Sequence, residues 1–337
     1  MDPQSHPAIP LGRDLYQLGT PQFPVYLSLG QEGMLIEGGA SPTADLIAAQ
    51  VASLGIDPQR IRHIALTHTH ADHIGAVPRL RQRWPHLRVA AGVKAAAHLN
   101  SPRGLEQFMP ADRMIQKIFV GNGQMEGLLP GMEDYGLRVD RVLAQGESID
   151  LGRGVVWTAQ ETPGHSACHL AYHAPGQGVA ALGDMTGYFD PGLDLIWPNY
   201  FASLGDYLAS LLGMAQLPAG LALLSHNGAV RGDLRVFLGR ALRETLAYHR
   251  ELRGRLAEGE EQAALCEREA RRIHAFAPIA SPKAIDFLCH CLCRQSLKAG
   301  GLEQALGLLA ASEAMEDLEG VGLTGWREAA QGAAGAR

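Results

Sequence analysis

Apolar and polar positions along the first 230 residues alternate on the short periods typical of an α/β fold. Apolar runs at residues 23–29, 34–37 and 61–67 have the length and the β-branched and aromatic content of strands. Further strands are predicted at residues 87–91, 139–143, 148–151, 155–159, 168–173, 178–182 and 221–224. Amphipathic helices are predicted at residues 41–54, 74–83, 92–99 and 203–217, the first with Ser41 as its N-cap. Residues 1–14 carry three prolines, and we expect an irregular arm there.

The pattern becomes purely helical near residue 230. Its spacing predicts helices at residues 233–257, 259–276 and 281–299, followed by one or two short helices at 302–325. We therefore expect a first domain at residues 15–230, a C-terminal all-helical section at residues 231–325 and a flexible tail at residues 326–337.

Residues 100–136 interrupt the strand and helix alternation of the first domain. They contain four methionines and two phenylalanines, in a predicted helix at residues 105–119 and a glycine-rich loop after it. This insert either adds packing or forms a cap that supplies an apolar wall for a substrate. The sequence leaves both interpretations open.

Composition narrows the class of protein. Hydrophobic residues make up 46% of the 337 residues and charged residues 19%, which are globular values. A net charge of −6 argues against a nucleic-acid surface, because phosphate binding draws on clustered Lys and Arg. The sequence contains no apolar run of about 20 residues, so we expect no membrane span.

Cysteine usage and the N-terminus indicate a compartment. Five cysteines are an odd number without framework spacing, which fits reduced thiols. The N-terminal residues lack the basic and then apolar pattern of a signal peptide. We therefore expect a cytoplasmic protein.

Candidate chemistry is concentrated at residues 66–75, which read L-T-H-T-H-A-D-H-I-G. Four potential ligands in it come directly after a predicted strand, where α/β layers build their sites: His68, His70, Asp72 and His73. Imidazole nitrogens and carboxylate oxygens are good ligands for zinc and iron. A loop that is merely rich in histidine is the alternative, and the clustering of three histidines argues against it.

Three later positions share this placement after a strand. His165 lies in T-P-G-H-S, where a Pro-Gly pair predicts a tight turn, Asp184 lies in L-G-D, and His226 lies in S-H-N-G. Together with the first cluster they supply five histidines and two aspartates. Seven ligands are too many for one tetrahedral ion. They suit two ions that share one carboxylate and leave a position for water.

These motifs resemble those of the metallo-β-lactamase-fold superfamily, whose H-x-H-x-D-H motif stands here at residues 68–73. The resemblance covers residues 15–230 and implies an αββα sandwich, followed here by the helical section. It also implies a ligand assignment in which His68, His70 and His165 hold one metal, Asp72, His73 and His226 hold the other, and Asp184 bridges them.

The resemblance implies a reaction as well. Two neighbouring cations lower the pKa of a shared water, so that a metal-bound hydroxide is available near neutral pH to attack the substrate. Asp72 would orient this nucleophile or pass a proton to the leaving group. Zinc is the favoured metal, with iron or manganese as alternatives.

Several branches of the family keep the full ligand set, among them thioesterases of the glyoxalase II type, lactonases and RNA-processing nucleases. Residues 185–192 read M-T-G-Y-F-D-P-G where glyoxalase II carries Cys-Gly-Arg-Phe, which argues against glutathione recognition. The N-terminal strands and C-terminal helices are similar to the branch that includes the bacterial quinolone-signal response thioesterase. We therefore predict a hydrolase of a small thioester, ester or lactone. A phosphodiesterase or nuclease of the same fold, or a metal-retaining signalling protein, is the alternative.

Aromatic residues after the bridging aspartate are candidate substrate contacts. Tyr188, Trp197 and Tyr200 lie in this segment, and ordinary packing is the alternative for each. The expected partner is a small-molecule substrate, with no membrane and no nucleic acid, and a homodimer is left open.

Other polar residues are predicted to be structural. His169 and His173 lie on one face of a strand and are expected not to bind metal. Thr67, Ser166 and Ser225 are read as turn residues rather than partners of the ligands. The cysteines at positions 289, 291 and 293 are predicted to lie on a buried apolar helix.

Overall fold

The computed structural model describes residues 1, 4–277 and 280–299. In chain order, its strands β1 to β15 are Ile9–Gly12, Leu15–Gly19, Pro24–Leu29, Gly33–Ile36, Ile61–Ala65, Arg88–Gly92, Arg141–Leu143, Ser148–Asp150, Val156–Glu161, Leu170–Ala174, Val179–Gly183, Tyr188–Asp190, Leu195–Trp197, Leu221–Leu224 and Ala229–Arg231. Its helices α1 to α9 are Ala44–Ser53, Ala71–Ile74, Val77–Arg83, Val93–Leu99, Pro102–Gly121, Leu204–Ala215, Leu234–Ala257, Gln262–His274 and Pro282–Ala299. The helices predicted at residues 302–325 and the tail at 326–337 lie outside the described residues.

The chain divides into two compact units. Unit 1 consists of Met1–Glu161, Cys168–Gly183 and Ala222–Val230. Unit 2 consists of Thr162–Ala167, Asp184–Leu221 and the described residues from Arg231 onward. The predicted boundary at residue 230 coincides with one edge of these units, and the proposed division into two sequential domains stays a prediction.

The first sheet of unit 1 has the strand order β1-β2-β3-β4-β5-β6-β7. Strands β1 to β4 are antiparallel, and β4 to β7 are parallel. Parallel neighbours require crossover connections, which α1 to α5 supply. Ile36 pairs with Ala65, so the carboxyl ends of β4 and β5 lie side by side.

The second sheet has the order β15-β14-β11-β10-β9-β8 and faces the first. Three buried side chains donate hydrogen bonds from one layer to the other. Trp157 Nε1 on β9 donates to Ser28 Oγ on β3 at 2.9 Å, and Tyr26 on β3 donates to the carbonyl of Leu224 at 2.6 Å. Tyr172 on β10 donates to the carbonyl of Leu66 at 2.7 Å. The predicted two-sheet α/β sandwich is confirmed.

Unit 2 contains the short β12–β13 hairpin and helices α6 to α9. The predicted helical section is therefore confirmed as far as residue 299. Ser203 caps α6 by accepting from the Asp206 N–H, and Asp233 caps α7 by accepting from the Arg235 N–H. Within the described part of the chain, no helix combines the length and the apolar character needed to cross a bilayer.

Several predicted elements differ from the structure. Strand β1 forms within the irregular arm expected at residues 1–14, because an edge strand tolerates Pro10. Strand β2 forms at Leu15–Gly19, where no element was predicted. The helix predicted at residues 74–83 begins only at Val77, as α3, with Pro78 in its first turn, and the separate one-turn helix α2 precedes it. Ser41 is not the N-cap of α1, because a 3₁₀ turn at Ser41–Thr43 precedes that helix.

Candidate metal centre

The loop that carries the first four predicted ligands is fixed at its start. It leaves β5, and the Leu66 N–H donates to the carbonyl of Ala90 at 2.9 Å. The Leu170 N–H donates to the carbonyl of Thr67 at 2.7 Å. The chain then turns into the one-turn helix α2, closed by a His73 N–H to His70 carbonyl bond of 3.0 Å. Four potential ligands thus leave one anchored strand end.

His68 and His70 point their imidazoles at one another. His68 Nε2 lies 2.9 Å from His70 Nδ1, and the ring centroids are 4.4 Å apart. His68 is fully buried and His70 is exposed. Two nitrogens this close can share one cation, with His70 on the solvent side.

Asp72, His73 and His226 form a second group in unit 1. One ligand atom of each lies within 4.8 Å of the others. Asp72 Oδ2 is 3.4 Å from His73 Nε2 and 3.7 Å from His226 Nε2. Both histidines are buried, and Asp72 is 17% exposed. The structure therefore brings all five predicted ligands of unit 1 into two neighbouring groups.

The partners of the far ring nitrogens indicate which nitrogen can bind a metal. His226 Nδ1 lies 2.7 Å from the carbonyl of Gln22. A carbonyl only accepts, so Nδ1 carries the proton and Nε2 presents its lone pair. His73 Nδ1 lies 3.5 Å from Glu37 Oε2, which favours the same tautomer. An acceptor on the far nitrogen is the usual support of a metal-binding histidine.

Next to this second group lies a buried carboxylate, Glu37, which the sequence motifs did not indicate. It is 2% exposed, and its N–H donates to the carbonyl of Ala65 at 3.0 Å. Its Oε1 accepts from the hydroxyls of Thr67 at 2.8 Å and Ser225 at 2.5 Å. The sequence feature that could have indicated Glu37 is its position, because it is a charged residue directly after strand β4.

Thr67 and Ser225 are therefore more than turn residues, and that interpretation was wrong. Both bind the buried Glu37 carboxylate, and Thr67 Oγ1 also lies 3.0 Å from His68 Nδ1. The negative charge of Glu37 has a further consequence. Burial, reinforced by this carboxylate, raises the pKa of Tyr26 and of Tyr172 well above the ordinary tyrosine value.

The remaining two predicted ligands lie in unit 2. His165 Nε2 is 3.3 Å from Asp184 Oδ2, and both side chains are buried. His165 Nδ1 lies 3.1 Å from the carbonyl of Asn199, so its Nε2 is the nitrogen that can bind a metal. Gly164 precedes it at φ +133°, and a Cβ there would lie 2.3 Å from Tyr207 Cα. Only glycine fits this turn.

The candidate substrate contacts are buried aromatic residues of unit 2. Tyr188 pairs with Trp197 across the β12–β13 hairpin, and its ring lies 6.3 Å from that of Phe276. The Trp197 ring is 5.9 Å from Phe201. Tyr200 is fully buried, with its hydroxyl 2.8 Å from Ser296 Oγ. These contacts show packing roles, and a substrate contact at Tyr188, Trp197 or Tyr200 stays a prediction.

The remaining histidines and cysteines singled out in the sequence have defined positions in the structure. His169 is buried with its ring 5.2 Å from that of His68, and His173 lies on β10. The three cysteines of α9 are buried, as predicted, and Cys293 Sγ lies 3.5 Å from Cys266 Sγ on α8.

The insert at residues 100–136 approaches the candidate ligand His226 through one intervening aromatic ring. Its helix α5 ends near Phe119, whose ring is 5.3 Å from Phe23. Phe23 in turn meets the His226 ring edge-on at 5.7 Å. Phe119 is fully buried, so the insert both packs and contributes to the apolar surroundings of the ligands.

The donor set fits divalent metal ions. It consists of imidazole nitrogens and carboxylate oxygens. Three of the histidines have a hydrogen-bond acceptor near the ring nitrogen that would face away from the metal. Buried histidine and carboxylate groups gathered this closely are usually paired or metal-bound, because an isolated buried charge is costly.

Comparisons with known proteins agree with this chemistry. The model of the metallo-beta-lactamase superfamily matches residues 21–226. A hydroxyacylglutathione hydrolase of Rhodopseudomonas palustris is 26% identical over 200 residues, which cover 59% of this chain and 61% of that protein. Another, from Stenotrophomonas maltophilia, is 31% identical over 176 residues, which cover 52% of this chain and 51% of that protein. The matches thus span less than two thirds of either relative.

A solved structure has the same fold. It is a metallo-beta-lactamase family protein of Thermus thermophilus, 23% identical, with a TM-score of 0.59. The match covers 86% of this chain and 94% of that one. At this identity the likeness concerns the fold alone.

Proposed function

The chain belongs to the metallo-beta-lactamase superfamily, and we propose that it is a hydrolase that uses two divalent cations to cleave a small thioester, ester or lactone. The observation that carries the proposal is the convergence of Asp72, His73 and His226, with far nitrogens held by acceptors. The names of the two relatives, both hydroxyacylglutathione hydrolases, support thioester cleavage.

The proposed ligands are the seven residues of the sequence motifs. His68, His70 and His165 are proposed for the first ion, Asp72, His73 and His226 for the second, and Asp184 as the bridge. Zinc is the proposed metal, with iron or manganese as alternatives, because imidazole and carboxylate together suit all three. Bound cations of this kind polarise a substrate carbonyl and lower the pKa of water.

The side chains around the ions have separate tasks in the proposed reaction. Asp72 is the proposed catalytic residue, because its carboxylate is partly exposed and can accept the proton that an attacking water loses. The Glu37 carboxylate, 3.5 Å from His73 Nδ1, favours the tautomer in which Nε2 can bind the ion. Phe23 and Phe119 exclude water beside His226, which strengthens the electrostatic interactions there.

The substrate class is proposed from charge and surroundings. A net charge of −6 disfavours a polyanionic substrate. The aromatic residues beside His226 favour an acyl compound. Residues 185–192 lack the Cys-Gly-Arg-Phe stretch of glyoxalase II enzymes, so the proposal is not limited to glutathione thioesters.

Hydrolysis by the metal-loaded full chain tests the proposal. The substrates are a hydroxyacylglutathione, an acyl-CoA thioester, an acyl homoserine lactone and bis-p-nitrophenyl phosphate. We expect turnover of at least one of the first three. Asp72→Asn should lower kcat/KM at least about 100-fold, because a general base contributes on that order.

His63→Gln is the matched control, because His63 precedes the motif and bonds Glu32 at 3.0 Å instead of a ligand. It should retain activity. Cleavage confined to the phosphodiester would replace the proposal with a phosphodiesterase. Absence of all four activities in a fully metal-loaded chain would leave a metal-retaining signalling protein and refute the hydrolase.

A further inference from the structure

A cavity of about 370 Å³ lies in unit 1, beside the helix of the insert. Helix α5, the start of α3, the turn at Ser41–Thr43 and the loop at residues 129–135 enclose it. Its lining contains none of the seven proposed metal ligands. The volume lies within the range of small-molecule sites.

Two buried polar side chains line this cavity. Asp112 on α5 is 5% exposed and Ser41 is 4% exposed. Neither Asp112 Oδ1 nor Ser41 Oγ has a hydrogen-bond partner in the described part of the chain. Burial raises the pKa of Asp112, and the nearby Ser41 hydroxyl, Gln116 and Arg79 offset part of this rise. Leaving such groups unsatisfied is costly, so a ligand that binds both is favoured.

The walls of the cavity are held in place by hydrogen bonds. Gln116 Nε2 donates to Asp112 Oδ2 at 2.7 Å, and Gln116 Oε1 accepts from the Leu129 N–H at 2.9 Å. Arg79 donates to the carbonyl of Pro130 at 2.6 Å. Asp112 is therefore oriented, and the loop is tied to α5 and α3. A preformed site loses less entropy on binding than one that must be ordered.

Charge and apolar surface in the lining indicate the chemistry of the ligand. The guanidinium groups of Arg79 and Arg113 can bind a carboxylate. Met109, Met132 and Tyr135 supply apolar surface, and the methionines can adapt to a range of shapes. A ligand with only a positive charge would be repelled by the two arginines. A ligand with only a negative charge would leave Asp112 Oδ1 without a hydrogen-bond donor.

We propose that this cavity binds a small zwitterion, an α-amino acid with an apolar side chain. Its ammonium group donates to Asp112 Oδ1 and Ser41 Oγ, its carboxylate accepts from Arg79 and Arg113, and its side chain packs on Met109. An ammonium group suits the buried pair because it has three donors and no acceptor. The site is separate from the hydrolytic centre and does not depend on the proposed function.

Isothermal titration of the full, metal-loaded chain with L-leucine tests the proposal. Two fragments complete the series: 3-methylbutylamine lacks the carboxylate, and 4-methylpentanoate lacks the ammonium. We expect L-leucine to bind, and each fragment to bind at least about tenfold more weakly because one charge-assisted contact is lost. Equal binding of a fragment and L-leucine would overturn the zwitterion, and no heat from L-leucine at millimolar concentration would show a cavity filled by water alone.

Variants assign the binding to this cavity. Asp112→Asn keeps the shape but loses the charge and should weaken L-leucine binding at least about tenfold. Glu106→Gln is the matched control, an exposed carboxylate on the same helix, and should bind as the native chain does. Ser41→Ala provides a milder test if Asp112→Asn fails to fold, and should also weaken binding. Unchanged affinity in a folded Asp112→Asn variant, or in Ser41→Ala where that variant replaces it, would refute the site.

Discussion

Glu37 contacts the second group of proposed ligands without being one of them. Its carboxylate accepts hydrogen bonds from Thr67, which follows β5, and from Ser225, which follows β14, and it lies 3.5 Å from His73 on α2. It holds φ at +74°, a conformation that a non-glycine residue adopts only when its surroundings fix it. The Glu37 carboxylate lies 3.5 Å from His73 Nδ1, which favours a proton on that nitrogen and leaves Nε2 to bind a metal.

Replacing the Glu37 carboxylate should weaken metal binding. We expect Glu37→Gln to fold and to bind Zn²⁺ about 10- to 100-fold more weakly, which is the usual effect of removing an outer partner of a ligating histidine. Competition with a chromophoric chelator measures the affinity directly. Glu32→Gln is the control, because Glu32 bonds the non-ligand His63. Native affinity in Glu37→Gln would show that His73 is oriented by other contacts.

The sequence indicated the proposed ligands but not Glu37, because Glu37 is connected to its partners only through long-range contacts. His68, Asp184 and the other motif residues directly follow predicted strands, so local pattern places them at strand ends. Glu37 is defined by hydrogen bonds from Thr67 and Ser225, which are 30 and 188 positions away. Contacts over such separations appear only after the two sheets are packed.

At the scale of elements, α7 carries a buried histidine, His249. His249 is fully buried, and neither ring nitrogen has a hydrogen-bond partner among the described residues. Burial, followed by the charges of Arg253 and Arg250, lowers the pKa of His249 to about 4. Its neutral form is therefore the native form at neutral pH.

This histidine should make the chain less stable in acid. The folded pKa lies below the unfolded value of about 6.5, so the unfolded state binds the proton first. Stability is then unaffected above about pH 6.5 and falls as the pH drops toward 4. The loss by pH 5 is about 2 kcal/mol.

Urea unfolding at pH 7 and pH 5 measures this loss. His249→Leu should reduce the difference between the two pH values by that amount. His290→Gln is the control, because His290 is half-exposed on α9, and it should behave as the native chain does. An identical pH dependence in His249→Leu and the native chain would contradict the prediction.

Secondary-structure elements could be predicted where a segment is a continuous apolar run or has one apolar face. Strands β3 to β6 and helices α6 to α9 follow from apolar runs and helical spacing. Strands β1, β2, β12, β13 and β15 were missed, because each spans only three to five residues. In the β12–β13 turn, Asp190 Oδ1 accepts from the N–H groups of Gly192 and Leu193.

At the scale of the whole molecule, the fold class followed from the order of elements. Alternating strands and helices predicted an α/β fold, and the change near residue 230 predicted the helical section. The two-sheet sandwich was implied by the resemblance of the H-x-H-x-D-H and later motifs to those of the metallo-β-lactamase family. The compact units, however, exchange short segments such as Thr162–Ala167 and Ala222–Val230. A linear pattern does not reveal such exchanges, because they depend on how distant segments pack.

Metal content of the full chain tests the central claim most directly. After loading with Zn²⁺ and desalting, elemental analysis should find about two ions per chain, as a two-metal hydrolase requires. His68→Ala and Asp184→Asn should each lose metal, and His63→Gln should retain both ions. Fewer than about one ion per native chain, or full occupancy in both ligand variants, would contradict the two-metal centre.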